Sequence, residues 1–168
     1  MSGGGAYERL ISLLNTEGAA YRLIDHAPEG RTEIVSAMRG NELAAAAKCI
    51  VLMVKIGKKT TRHVLAVVPG DARLDLGAVK ALLGATYAAF ASADVAEELA
   101  GSVVGTVLPF AFDARLELIA DPALLRHDEL FFNAGRLDRS MALRTRDYVR
   151  IARPRFERIA LEPAAAPA

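Results

Sequence analysis

The segment that most constrains the fold runs from Cys49 to Ile56 and is followed, after Gly57-Lys58-Lys59-Thr60, by a second apolar run from His63 to Val68. Two runs rich in β-branched residues, joined by a short connector that begins with glycine, specify a β-hairpin. The rest of the chain is patterned around it. Tyr7 to Glu17 carries Leu10, Ile11, Leu13 and Leu14 at amphipathic-helix spacing, and Gly18 is placed to end that helix. Tyr21 to Asp25 reads as a strand, His26 to Gly30 as a turn-rich loop, and Thr32 as the cap of a helix running toward Gly40. A short helical turn is expected through Ala44 to Ala47.

Downstream of the hairpin, Asp75 is placed to cap a helix ending near Gly84, and Ser92 to cap one that stops at Gly101, with a strand from Ala85 to Phe90 between them. Further strands are expected at Val104 to Leu108, Leu116 to Ala120 and Leu130 to Asn133. Thr145 is placed to cap a final helix that Pro154 ends.

With 168 residues, 52% of them apolar, the chain can bury the core of one domain. The expected organisation is a flexible N-terminus over 1–6, the domain over 7–160 and a disordered tail over 161–168. No apolar run approaches the roughly 18 residues of a membrane span. The start lacks the basic and apolar regions of a signal peptide, so the expected location is the cytoplasm. One cysteine, Cys49, excludes an intramolecular disulfide and a cysteine-rich zinc site, and its apolar strand favours a structural role. His26, His63 and His127 lack metal-ligand spacing. Of the three, His26 stands where a strand meets a loop, a place where sites form.

Net charge is +1, but from Arg136 to Arg158 eight arginines face three acids, a local +5. Lys55, Lys58, Lys59 and Arg62 form a second basic group at the hairpin tip. Such clusters neutralise phosphates, or serve as solvated surface balanced by acids elsewhere in the fold.

Phosphate-loop, nucleophile-elbow, zinc-protease and dinucleotide signatures are all missing. What remains is Lys48, an ammonium at the mouth of an apolar strand, where it needs water or a partner. Two glycine-anchored segments, Gly105 to Phe110 and Asn133 to Ser140, are the natural candidates to meet it.

Lys48 opening Lys-Cys-Ile-Val-Leu-Met-Val, the partner His-Val-Leu-Ala-Val-Val-Pro, the Gly-x-x-x-Pro-Phe loop at 105–110 and the later Phe-Asn-Ala-Gly occur in this order in a known family. Over about residues 7 to 155 the chain resembles the YbaK-like, prolyl-tRNA-synthetase-associated editing domains. Asn-Ala-Gly-x-Leu-Asp-x-Ser followed by Asp-Tyr-x-Arg-Ile-Ala resembles their stand-alone, YeaK-like branch. The resemblance implies an α/β domain with a strongly curved mixed sheet flanked by helices, and hydrolysis of a wrongly attached amino acid from tRNA. It implies no cofactor and no metal. Its implied partners are a mischarged tRNA and an aminoacyl-tRNA synthetase, and it implies no membrane.

Carried over by position, Lys48 matches the family's site lysine and would contact the carbonyl or a terminal phosphate. Gly105, Pro109 and Phe110 fall in the loop that sieves the amino acid, with His26 lining the site. Asn133, Gly135, Asp138 and Ser140 would orient that loop or the adenosine, although turn formation and capping account for them as well. Arg144, Arg146 and Arg150 are the candidate tRNA contacts. Two departures bear on the substrate: alanine-specific relatives carry Asn where this chain has Cys49, and a histidine-containing segment where it reads Phe-Phe-Asn-Ala-Gly. A small aminoacyl group such as Ser, Ala or Thr is the expectation. Two other classes stay open at this stage: a non-catalytic module that holds RNA or a synthetase through Arg136 to Arg158, and a small-molecule ester hydrolase.

Overall fold

A computed structural model describes residues 5–161. The hairpin is its centre: β2 (Ala47–Ile56) and β3 (Thr60–Pro69) pair antiparallel along their full length, from Ala47 opposite Pro69 to Ile56 opposite Thr60. Both strands are longer than the β-branched runs alone indicate, because Thr60 to Arg62 join the ladder. β4 (Tyr87–Phe90) pairs antiparallel with β2, while β5 (Leu116–Ala120) and the two-residue β8 (Arg155–Phe156) add in parallel beyond β3. The order β4-β2-β3-β5-β8 makes a five-stranded mixed sheet.

A second sheet, β1-β7-β6, is antiparallel and built from β1 (Tyr21–Asp25), β7 (Arg139–Arg144) and β6 (Glu129–Arg136). The β layer of the expected α/β domain is therefore two hydrogen-bonded sheets, the larger of them mixed. A bridge between Ala46 and Phe131 joins them just before β2 begins. Apolar side chains from both sheets form the main core with α1 (Ala6–Thr16). The opposite face of the larger sheet, through Leu52, Val54, Val64 and Val68, is covered by α3 (Leu76–Leu83). Alternation along β2 sends Val51 to the first core and Leu52 to the second.

Several helix ends follow the expected chemistry. Asp75 accepts from Ala78 N, Ser92 accepts from Val95 N at the start of α4 (Ala93–Ala100), and Gly84 and Gly101 close their helices in the left-handed conformation. Two caps differ. Thr32 and Thr145 are the first residues of α2 (Thr32–Arg39) and α5 (Thr145–Ala152), and no side chain caps either helix; the Thr145 hydroxyl instead donates to the His127 carbonyl. The helical turn before β2 is a 3₁₀ turn over Leu43–Ala45.

Val104 to Leu108 is not a strand but part of a loop, in which Gly105 adopts a left-handed φ of 91°. At the N-terminus α1 already includes Ala6, which is buried, so order begins before residue 7. Leu161 donates its N–H to the Arg73 carbonyl, and the rest of the expected tail lies outside the described residues. Among the described residues no helix is long and apolar enough to cross a membrane.

Candidate active site

Where Ala46 bridges the sheets, a cavity of about 200 Å³ opens between α2, the start of β2, the Gly105 loop and β6. α2 contributes Thr32, Val35 and Arg39, which share one helix face. β2 contributes Lys48 and Cys49, the loop contributes Val104, Gly105 and Val107, and β6 contributes Phe132 and Asn133. Lys48, Gly105 and Asn133, far apart in sequence, thus border one space.

The Lys48 ammonium donates to the Ala72 carbonyl, leaving two of its three N–H groups unspent. Burial pulls its pKa below the ordinary lysine value, with Glu33 and Asp71 opposing that shift and Arg73 adding to it. Cys49 lies beside it but is chemically quiet. Its Sγ donates to the Ala47 carbonyl at 3.6 Å, and burial pushes the thiol pKa far up, away from the thiolate.

Gly105 is where the loop must be glycine. A Cβ there would lie 2.9 Å from Gly30 Cα, on top of the cost of a positive φ. The loop is held from behind by Asn133, whose amide donates to the Gly105 carbonyl at 3.0 Å and to the Glu29 carbonyl at 2.8 Å. With both amide hydrogens given to carbonyls, Asn133 Oδ1 must accept, and it does so from the Ser140 hydroxyl at 2.9 Å. Ser140 Oγ in turn accepts from Arg39 Nη1 at 3.0 Å and meets His26 Nε2 at 2.7 Å. His26 Nδ1 donates to the Ala27 carbonyl at 2.8 Å, so the direction of the Ser140 contact at Nε2 follows the protonation state of the ring.

His26 and Ser140 therefore meet, as no sequence spacing indicates, yet they are not a base and a nucleophile. Ser140 is 0% exposed, so no substrate carbonyl reaches its oxygen. The relay from His26 and Arg39 through Ser140 and Asn133 to Gly105 is a clamp on the loop.

The other candidate residues serve the fold. Pro109 is buried next to the loop and does not line the cavity. Phe110, 5% exposed, packs edge-on against Tyr148 in the main core, with ring centroids 5.4 Å apart. Gly135, at φ 79°, lies in the irregular stretch of β6 and touches α1, where a Cβ would come within 2.8 Å of Tyr7 N. Asp138 pairs with Arg136 across the β6–β7 turn, and its carbonyl accepts from His26 N. Asn133 and Gly105 are thus the downstream residues that reach the cavity. Arg39, which the sequence reading did not single out, lines it too.

Of the proposed RNA contacts, Arg144 and Arg146 border an open surface cavity of about 420 Å³ with His127. Arg150 is engaged with Asp147, Glu17 and the Glu17 carbonyl. His127 also borders a neighbouring cavity of about 320 Å³ lined by Arg126, Arg158, Asp71 and Ala72, the residue whose carbonyl holds Lys48. Among the described residues no group of three or more His, Cys, Asp or Glu side chains gathers to hold a metal ion.

The aminoacyl-tRNA editing domain matches residues 26–151 of this chain. The chain is 44% identical over 153 residues to the multifunctional Ser/Thr-tRNA deacylase ProXp-y of Escherichia coli (strain K12), spanning 90% of this chain and 91% of that protein. Its fold is similar to that of the hypothetical protein APE2540, with a TM-score of 0.82 at 22% identity over 92% of this chain and all of the other. A structure described as a candidate trans-editing enzyme for prolyl tRNA synthetase superposes with a TM-score of 0.77 at 21% identity, over 96% of this chain and 100% of that one. At those identities the likeness to solved structures is one of fold. The match across residues 26–151 and the 44% identity go further: this chain belongs to the aminoacyl-tRNA editing domain family.

Proposed function

We propose that this chain is a trans-acting aminoacyl-tRNA deacylase that removes serine or threonine wrongly attached to tRNA. The observation that carries this reading is the cavity in which Lys48, Gly105 and Asn133 converge. At about 200 Å³ it falls below the roughly 300 Å³ at which pockets for drug-sized ligands begin, so it suits an aminoacyl group with the nucleotide left outside. The relative named as a Ser/Thr-tRNA deacylase supports the choice of amino acid.

A synthetase pocket discriminates poorly between amino acids that differ by a methylene or an added hydroxyl, so a second hydrolytic site supplies the missing selectivity. The ester is already activated, and positioning does most of the work. Water adds to the ester carbonyl carbon, negative charge collects on the carbonyl oxygen, the bond to the terminal ribose oxygen breaks, and that oxygen takes the proton the water gives up. Free amino acid and tRNA with its terminal hydroxyl restored are the products. Lys48 offers positive charge to the carbonyl oxygen as it becomes anionic. The Gly105 loop, clamped by Asn133, sets the size of what enters. Cys49 stays a wall residue. On this reading the protein works in the cytoplasm, where charged tRNA is used.

The test is release of amino acid from tRNAs charged with serine or threonine, against correctly charged controls and free aminoacyl esters. Release from mischarged tRNA is the expected result. Binding of tRNA without release from any member would assign the chain to the non-catalytic module class, and release from the free esters alone to small-molecule hydrolysis.

A further inference from the structure

Arg39 ends α2 and lines the cavity. Three N–H groups are spent: Nε on Asn41 Oδ1 at 2.8 Å, Nη1 on Ser140 Oγ at 3.0 Å and Nη2 on Ser36 Oγ at 3.2 Å. A guanidinium carries five, so two remain. Every oxygen around it is neutral. Burial lowers its pKa to about 10, and no carboxylate acts against that shift. A fork fixed at three points, with donors to spare at a cavity wall, is a preorganised reader of an oxygen atom.

Besides Arg39, the side-chain donors of the cavity are the Lys48 ammonium, the Thr32 hydroxyl, the Asn133 amide and the Cys49 thiol, and the last two are committed. Both amide hydrogens of Asn133 go to carbonyls, and the Cys49 thiol goes to Ala47. Lys48 is assigned to the reacting carbonyl. Much of the remaining wall is apolar, including Val35, Val104, Val107 and Phe132. A cavity this small leaves the nucleotide outside, so an oxygen that meets Arg39 within it belongs to the amino acid. With the carbonyl given to Lys48, that oxygen is on the side chain.

We propose that Arg39 is a specificity-determining residue whose two unspent N–H groups receive the side-chain hydroxyl of a bound seryl or threonyl group. This rests on the deacylase reading above. An alanyl group that displaced water from the cavity would strand those donors, whereas a β-hydroxyl restores their partner.

The experiment is single-turnover deacylation, with enzyme in excess, of one tRNA charged in turn with serine, threonine, alanine and 2-aminobutyrate, by the wild type, Arg39→Met and Arg39→Lys. For Arg39→Met the rates on the two hydroxylated groups should fall about 10- to 100-fold further than those on the two that lack the hydroxyl, the range of a hydrogen bond to a charged donor. Arg39→Lys, which keeps the charge but replaces the fixed fork with a single rotating ammonium nitrogen, should fall between; it decides the matter through its serine-to-alanine ratio if the methionine variant fails to fold. Equal losses on all four substrates would leave Arg39 to the loop clamp or the carbonyl and overturn the proposal, as would no loss on any. Absence of release by the wild type would instead sink the deacylase reading itself.

Discussion

Arg136, Arg139, Arg150 and Arg155 each lie within ion-pair distance of a carboxylate, and the partners of three of them come partly from outside their own segment: Asp25 for Arg139, Glu17 for Arg150 and Glu117 for Arg155. Arg39 stands alone in its stretch of chain and has neutral partners throughout. The difference teaches that density of charge along a sequence and availability of charge in a fold are separate quantities. The arginine-rich segment spends half its arginines on holding the structure. Lys48 and Arg39, inconspicuous by count, keep unspent donors beside a cavity.

The largest effect expected from this contrast is at Lys48. Lys48→Ala should slow single-turnover deacylation by on the order of 10²-fold or more, the cost of removing one preorganised oxyanion donor, while Cys49→Ala does much less. A covalent thioester route predicts the opposite ranking, and that outcome would remove Lys48 from the chemistry.

How much of this could be read beforehand depended on whether the deciding contact was local. Asp75 and Ser92 were legible as caps because each bonds a backbone N–H three residues on. β7 was not, because Met141, Ala142 and Leu143 are all buried in the middle strand of a sheet, which erases alternation, and arginines flank them. Lys48 and the Gly105 loop stood out as a charge and a glycine in apolar surroundings. Arg39 did not, since a basic residue in the last turn of a helix is ordinary on electrostatic grounds. Its partners Ser36 and Asn41 are near in sequence, but Ser140 is 101 residues away.

The next effect separates the free arginines from the spent one. Among the described residues Arg144 and Arg146 form no ion pair, so reversing both to Glu should weaken tRNA binding and lower the salt slope by about 2, one for each lost phosphate contact. Arg150→Gln should leave that slope nearly unchanged. An unaltered affinity across a salt series for the double variant would take this face out of RNA docking.

A smaller effect belongs to Asp147, which accepts from Ala20 N at 2.9 Å and pairs with Arg150. The Ala20 bond first, and Arg150 after it, hold its pKa below the ordinary carboxylate value. A carboxylate depressed in the folded state adds stability above its unfolded pKa of about 3.9 and loses it as pH falls through the folded value. Asp147→Asn should therefore be less stable than the wild type at neutral pH, and the gap should close on acidification below about pH 4. Parallel stability curves across that range would show that the pair contributes nothing.

The smallest effect is expected at Arg136. It pairs with Asp138 at 2.9 Å across a turn, with both side chains 45% exposed, and its guanidinium lies 5.6 Å from the Tyr7 ring centre. An exposed pair of this kind contributes little, and less as salt rises, and the flanking ring adds only a small attraction at an exposed site. Arg136→Gln should thus shift the denaturation midpoint slightly at low salt and less at high salt. Because its charge is already met by Asp138, tRNA affinity and its salt slope should stay at wild-type values, in contrast to the Arg144 and Arg146 reversal. Those two readouts, taken on one variant, test the division itself: a drop in tRNA affinity as large as that of the double reversal would show that an ion-paired arginine on this surface is as available to phosphate as an unpaired one.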